Sequence, residues 1–445
     1  MTTPPDGLVG LDELWNRDPA ASEHDIDPQR RRRRRRWGLV AALTVLVIVI
    51  GTPTAYVGWA LNAPVASPTV TSQTPTASAG SAAAIQLFRD GAAAISVSGA
   101  EEYLGPDTGG VWLTSGMDDV RPMASISKLV TALVVLDAWP LDGADDVGPT
   151  LTFDEADNDL YDEYYVRGAT IAAMPTGSEM SLRDALATML IPSASNYAEV
   201  VSTWAFGSQG AFVGAARRWL AANGLDRTTL VEPTGLDRRN TSTPTDLLAL
   251  GKIAAANPVI ARIAATPSMT LGGAGTVHNT NGLLGTAGIT GLKTGNLGEG
   301  TYNLLYTASL DVGAAAPLSV TGVALGGYSS AAINESVVAT LESLRKGFHT
   351  VPVATAGEQV GSLTTAWGSS ARMVIAEDAA IFTWSDTPIT VTMDTTAPIT
   401  YEDGEVVGTV TWTAGPQTAT APVTIQGEIE PPSEWWRLTH PDQLG

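Results

Sequence analysis

The sequence predicts an α+β domain, a sheet flanked by helices with an all-helical lobe, carried behind one apolar helix and followed by a small β-sandwich. Three observations lead there. Strand-like runs early (94–98) and late (302–310 and 318–325) bracket a long helical middle, the order of elements produced when helices are inserted into one sheet. After about Val351 helical periodicity gives way to short β-branched runs separated by Gly, Pro and Asp, as in a small all-β unit. Near the start, an uncharged apolar run follows an unbroken basic stretch, and its length matches the ~20 residues a membrane-spanning helix needs.

The elements follow in order. Residues 1–36 read as a cytoplasmic, disordered tail that ends in the basic run Arg30–Arg36, because the first 28 residues are polar and lack periodicity. Trp37–Ala60 reads as a single-pass transmembrane helix. Arginine stays on the cytoplasmic side, so the N-terminus is inside and everything after Leu61 lies outside. Trp37, Tyr56 and Trp59 sit near the ends of the run, where interfacial aromatics belong. Cleavage at Ala63-Pro64-Val65-Ala66 is the alternative, but the run exceeds the ~7–15 residues of a signal core. Residues 61–83, rich in Pro, Ser and Thr and without charge, read as an extended linker.

Residues 84–350 form the expected main domain. Ala94–Ser98 and Gly110–Thr114 alternate like paired strands, Ser127–Leu136 is a solidly apolar helix, and Leu182–Trp204 and Ala211–Ala222 carry apolar residues three and four apart. Tyr302–Leu310 and Leu318–Leu325 return to strand character. Residues 351–430 are the expected β-rich domain, with runs at 389–393, 408–412 and 421–425, and 431–445 is a tail containing Trp435-Trp436.

Composition removes several classes of function. At 445 residues the chain is long enough for two or three folded units. The formal net charge is −21, yet residues 1–36 hold 8 of the 25 basic residues, so the acidity belongs to the remainder. Such a surface repels phosphate, which argues against nucleic acid as a partner. There is no cysteine, so disulfides, thiol nucleophiles and Cys-ligated metals are excluded. The four histidines are His24, His278, His349 and His440, which makes a Ser-His-Asp triad or a His-rich metal site hard to assemble. A hydrolase built on this chain needs another base. The acidic cluster Asp154–Glu163 lacks the spacing of a calcium loop and reads as solvated loop. His278 reads as structural, Glu232-Pro233-Thr234-Gly235 as a turn. No metal and no cofactor is called for.

The chemistry is carried by three short segments. In Ser125-Ile126-Ser127-Lys128 the spacing of three places hydroxyl and amine on one helical face. Burial in an apolar segment lowers a lysine's pKa, so that the amine can accept the serine proton without help from histidine. Ser343-Leu344-Arg345-Lys346 has the same spacing on an ordinary charged helix, so the motif needs company. It has it in Ser193-Ala194-Ser195-Asn196, at the end of an apolar helical stretch, and in Lys293-Thr294-Gly295, just before a strand. A Lys-Thr-Gly triplet on an edge strand supplies a cation and a hydroxyl for a carboxylate, and its glycine lets a peptide backbone approach.

In order and type these segments resemble the active-site motifs of the penicillin-binding and β-lactamase serine enzymes. Arg121–Leu133, Leu190–Ala194, Glu232–Asp237, Asn279–Leu284 and Gly291–Gly295 resemble most closely the low-molecular-mass D-alanyl-D-alanine carboxypeptidases, over about residues 90–350. The segment 397–410 resembles the β-domain these enzymes carry. The resemblance implies a penicillin-binding, β-lactamase-like transpeptidase fold. It makes Ser125 the acyl nucleophile, Lys128 its base and Ser193 a proton relay near the leaving group. Lys293 and Thr294 would hold the substrate's terminal carboxylate, with Gly295 beside them where the peptide backbone approaches, and the backbone N–H groups of Ser125 and Asn296 would form the oxyanion hole. The implied substrate is the D-Ala-D-Ala end of peptidoglycan stem peptides, with β-lactams as inhibitors.

Two departures stand out. The family's Ser-x-Asn element has Ser195 where Asn is usual, so that either Ser195 substitutes or the local helix offers Asn196. The stretch 317–320 lacks the arginine that related enzymes often use for the carboxylate. Two alternatives follow, a class A-like β-lactamase and a non-catalytic wall-binding scaffold. Against the first stand the membrane helix, the β-domain and the lack of a recognisable deacylating Glu element; against the second stand intact Ser125, Lys128 and Lys293-Thr294-Gly295.

Overall fold

The computed structural model describes residues 28–445. His24 and most of the tail expected over 1–36 lie outside the described residues. The chain divides into two compact units, one made of residues 1–71, 362–372 and 426–445 and the other of residues 72–361 and 373–425.

In the first unit, helix α1 runs over Pro28–Asn62. It therefore includes the arginine run that the sequence reading assigned to an unstructured tail. Arginine is a good helix former, and a helix already nucleated by the apolar stretch propagates through it at little cost. A short helix, Glu434–Thr439, lies against the end of α1. Tyr56 donates its hydroxyl to the Leu438 carbonyl (2.7 Å), and Arg437 donates to the Ala63 carbonyl (2.7 Å). Trp436 packs edge-on against Trp367, whereas Trp435 stays exposed. The expected linker is not without structure, since Thr69–Ser72 forms a strand, in keeping with its β-branched Thr-Val-Thr run.

The second unit is built on a five-stranded antiparallel sheet. Its strands are β1 (Ala92–Ser98), β2 (Leu113–Ser115), β3 (Ile289–Gly295), β4 (Tyr302–Leu310) and β5 (Leu318–Gly327), in the order β3-β4-β5-β1-β2. Neighbouring residues point to opposite faces. Ala94, Leu305 and Val323 join a core on one face, while Ala93, Leu304 and Ala324 join a core on the other. Burial on both faces explains why these strands read as nearly continuous apolar runs.

The first core is the helical lobe. It contains α2 (Ser127–Ala138), α3 (Glu155–Val166), α4 (Leu182–Leu190), α5 (Ser195–Phe206), α6 (Gln209–Ala222), α7 (Pro244–Ala256) and α8 (Pro258–Ala264). Helix α2 is buried all round from Ser127 to Leu136, as expected of a helix apolar on every side. The acidic stretch read as a loop is helix α3. Asp154 caps it, accepting the Asp157 N–H while the Asp157 carboxylate accepts the Asp154 N–H, and negative charge in a first turn stabilises a helix. The helical pattern over Leu182–Trp204 is likewise two helices. They are separated by residues 191–194, where Pro192 and a left-handed Ser193 (φ 71°) stop the first and turn the chain into the second.

The other face is covered by α9 (Ser330–Gly347), through Ile333, Val337, Leu341 and Leu344. Strands β6 (Phe348–Ala354) and β7 (Ala379–Trp384) then pair, and β8 (Ile389–Thr395), β9 (Val406–Ala414) and β10 (Gln417–Gln426) form an antiparallel meander. Residues 373–425 cluster with the central sheet rather than apart from it. An aromatic group accounts for this, with Tyr103 edge-on to Phe348 and Phe382, and Trp112 edge-on to Trp384. Such pairs add about 0.5–1.5 kcal/mol each beyond the area they bury.

The lobe's packing has a measurable consequence. Leu186 of α4 is fully buried in the first core, so Leu186→Ala is expected to cost about 2–5 kcal/mol of unfolding free energy in a denaturant titration.

Candidate active site

Ser125 sits in a single 3-10 turn, Ala124–Ile126, that leads into α2. The residue before it, Ala124, is left-handed (φ 50°), an uncommon backbone state for a residue with a side chain. Two glycines close on this turn. A Cβ on Gly235 would lie 2.0 Å from the Ala124 carbonyl oxygen, and one on Gly295 would lie 2.7 Å from that of Met123. Neither position has room for a side chain, so the backbone approach read into Lys293-Thr294-Gly295 is made here to the chain's own Ser125 turn.

One helical turn on, Lys128 is fully buried. Its Nζ stands 3.1 Å from Ser125 Oγ and 3.3 Å from Ser195 Oγ, and it donates to the Thr234 carbonyl at 2.7 Å. Burial lowers its pKa to about 7, against the raising effect of the Glu232 carboxylate. A substantial fraction of the amine is then neutral near neutral pH and able to accept a proton.

The second wall comes from the break between α4 and α5. Ser193 is buried there, and its hydroxyl has no hydrogen-bond partner among the described residues. Ser195 meets Lys128, which resolves the choice between Ser195 and Asn196. Asn196 does not face the cleft. Its amide donates to the Ala172 carbonyl (2.8 Å) and accepts the Ala172 N–H (3.2 Å). At consecutive helix positions two side chains point about 100° apart, so only one of them can reach Lys128. Asn196 instead pins the segment 168–172, whose Gly168, Ala169 and Thr170 line the cleft.

The third wall is β3, at the edge of the sheet. Lys293 is buried, its Nζ 3.3 Å from both Thr280 Oγ1 and the Thr294 carbonyl. Burial and the nearby Lys128 hold its pKa well below the usual lysine value. The Thr280 and Thr294 hydroxyls are 2.6 Å apart. Asn296 is exposed just beyond the strand, its side chain accepting the Gly298 N–H. The three walls enclose a cleft of about 300 Å³ that Ser125, Ser193, Ser195, Thr280, Thr294 and Asn296 help to line. Among the described lining residues none is charged.

Sequence reasoning missed Thr280, Thr234 and Glu232 as parts of this site. Thr280 lies in a segment whose resemblance was noted, but nothing in its spacing ties it to Lys293. His278 is exposed on a short strand, neither in the cleft nor in the core.

Comparison with known proteins bears on this geometry. Residues 101–320 match the family model described as D-alanyl-D-alanine carboxypeptidase. Over this stretch the chain is similar to the serine DD-peptidases of the penicillin-binding family. Within curated proteins it is similar to a D-alanyl-D-alanine endopeptidase of Pseudomonas aeruginosa, 34% identical over 175 residues, which are 39% of this chain and 53% of that protein. A D-alanyl-D-alanine endopeptidase of Escherichia coli is 32% identical over 170 residues, 38% of this chain and 51% of that protein. The chain thus spans about half the length of the curated relatives it matches. Among solved structures, penicillin-binding protein 5 from Haemophilus influenzae aligns with a TM-score of 0.50 at 18% identity, covering 79% of this chain and 99% of that one. That likeness establishes the penicillin-binding fold, with its sheet and helical lobe.

The Ser125 turn depends on the close contact at Gly295. Gly295→Ala is expected to displace the Ser125 turn and to slow acylation by a fluorescent penicillin at least about tenfold, since misplacements near 1 Å cost that much or more. Stopped-time gel labelling measures it.

Proposed function

We propose that this chain is a membrane-anchored serine D-alanyl-D-alanine carboxypeptidase that removes the last D-alanine from peptidoglycan stem pentapeptides. The observation that carries the reading is the 3.1 Å approach of the buried Lys128 amine to Ser125 Oγ at the mouth of the cleft. Neutral Lys128 takes the serine proton as Oγ attacks the carbonyl of the D-Ala-D-Ala bond. The oxygen that becomes negative is received by the backbone N–H groups of Ser125 and Asn296. The C–N bond then breaks, and the departing amine of D-alanine takes a proton that the unpartnered Ser193 hydroxyl relays. Water hydrolyses the Ser125 ester and restores the enzyme.

The terminal carboxylate lies against the hydroxyls of Thr280 and Thr294, with Lys293 behind them. A carboxylate there favours the charged form of Lys293 and offsets the burial that disfavours it. Stretch 317–320 offers no arginine, so recognition rests on this hydroxyl pair and the lysine. β-Lactams, whose carboxylate and strained amide present the same pattern, acylate the same serine. No cofactor takes part.

Helix α1 supplies the anchor. Its segment Arg32–Asn62 is long and apolar enough to cross a bilayer. The arginines on its N-terminal side put that end in the cytoplasm and the peptidase outside.

The names of the two curated relatives favour a second reading, in which the same acyl-enzyme forms from an amide within a cross-linked stem peptide. The decisive experiment offers the detergent-solubilised full chain a muramyl-pentapeptide and, separately, a cross-linked muropeptide dimer, with Ser125→Ala beside it. Free D-alanine from the pentapeptide alone, absent in Ser125→Ala, is the expected result; cleavage of the dimer alone makes the chain an endopeptidase. Loss of all turnover and of penicillin labelling in the parent removes the enzymatic reading and leaves the scaffold.

The state of the base sets a pH dependence. Lys128 must be neutral to accept a proton, so acylation by penicillin is expected to rise as pH increases through about 7 and to level off above it. A profile that falls across this range contradicts the assignment of Lys128 as base.

A further inference from the structure

Loop 231–240 closes over the start of α2 and holds a carboxylate that the acyl-transfer steps leave unused. Glu232 turns inward on its own loop. Its Oε2 accepts the N–H of Thr234 (2.6 Å), and its Oε1 accepts those of Gly235 (2.7 Å) and Asp237 (3.2 Å) together with Asn240 Nδ2 (2.9 Å). Asn240, fully buried, completes the bracket. Its Oδ1 accepts the Val231 N–H (2.8 Å), its Nδ2 also lies 3.1 Å from Ser127 Oγ, and its carbonyl accepts the Met123 N–H (3.0 Å).

The N–H and C=O of a trans peptide point in opposite directions. With Glu232 holding the N–H of the peptides that precede Thr234 and Gly235, both carbonyls of those peptides are turned towards α2. There the Pro233 carbonyl accepts from Thr131 Oγ1 (2.8 Å) and the Thr234 carbonyl accepts from Lys128 Nζ (2.7 Å). The same loop carries Gly235, which presses on the Ala124 backbone beside the nucleophile.

We propose that Glu232 is a positioning residue for the general base, aiming the Thr234 carbonyl at Lys128 Nζ and placing a negative charge beside that amine. The inference rests on the acyl-enzyme reading of Ser125 and Lys128. Glu232 acts through Lys128 and touches no reacting atom. The other groups facing this pair are few. Lys293 of β3 lies near enough for the charge of Lys128 to disfavour its own charged form. Tyr164 of α3 faces Glu232, but its hydroxyl is bonded to Glu199 of α5 and its pKa is raised, chiefly by burial. Asp237, on the same loop, is paired with Arg239. Glu232 is thus the one carboxylate among these groups that favours the charged form of Lys128.

The test measures the rate constant for acylation by a fluorescent penicillin from mildly acid to mildly alkaline pH, in the full chain and in two variants. Glu232→Gln removes the charge and is expected to shift the midpoint of the acid limb to lower pH by about one unit, the scale of one neighbouring charge. Its plateau is also expected to fall. Glu232→Asp keeps the charge but retracts the carboxylate by one methylene. It is expected to hold the parent's midpoint while its plateau drops about tenfold, the cost of a small misplacement. A merely structural Glu232 moves thermal stability without moving the midpoint. A Glu232→Gln midpoint equal to the parent's overturns the inference. Should that variant fail to fold, a Glu232→Asp plateau equal to the parent's does the same. In either case a parent still labelled at Ser125 leaves the acyl-enzyme reading standing, whereas a parent that takes no label removes that reading and this inference with it.

Discussion

A lysine amine sealed away from water has to find its hydrogen-bond partners within the protein, and the helical lobe is arranged around the three that meet Lys128. They come from three places in the chain: Ser125 on the preceding turn, Ser195 at the start of α5 and the Thr234 carbonyl on the loop before α7. Burying a charged group without partners costs several kcal/mol, so these elements are constrained together. Displacing any one leaves the amine short of a partner, in a segment whose ten residues from Ser127 to Leu136 are all buried. The same burial brings the amine into a range where it can exchange a proton with a serine. One desolvated group therefore links the packing of the lobe to the chemistry of the cleft.

The sheet imposes a second constraint, on the opposite rim. Edge strand β3 must approach the Ser125 turn closely enough for Thr294 to face the cleft, and Gly295 is the contact that sets the distance. This brings a second buried lysine, Lys293, near the first. Burial and the charge of Lys128 together disfavour the protonation of Lys293. A cleft lined by hydroxyls and amides, with a buried lysine behind them, is suited to an incoming anion that favours that lysine's charged form. The left-handed backbone at Ala124 and Ser193 lies on the two walls that converge there, consistent with strain collecting where side chains must be aimed against local preference.

Much of this was legible from residue order. Strand β4 could be read end to end because Tyr302–Leu310 is a nearly continuous run of residues that suit a strand buried on both faces, and Ser125, Lys128, Lys293 and Thr294 stood out because so few lysines occur in the chain. Other features were hidden for identifiable reasons. The acidic segment at 155–166 looked like loop because its helix is held by a capping box and few buried contacts, not by an apolar stripe. The Leu182–Trp204 pattern looked continuous because both helices bury the same kind of residue. The choice between Ser195 and Asn196 turns on side-chain direction at a helix start, which adjacent positions in a sequence do not reveal.

By itself, then, the sequence determined the spacing of three between the Ser125 hydroxyl and the Lys128 amine, the apolar segment that buries the amine, the Lys-Thr-Gly triplet, the lack of cysteine and the scarcity of histidine. These are local properties, set by helical and strand periods and by composition. Only the tertiary structure decided which hydroxyl meets Lys128, that Asn196 braces a cleft wall, that Gly235 and Gly295 grip the Ser125 turn, and that the Glu232 carboxylate holds the loop whose carbonyl meets Lys128. Each of those joins residues tens to hundreds of positions apart. Their pairing depends on how buried polar groups are satisfied across elements, and that is settled only when the lobe and the sheet close around the same amine.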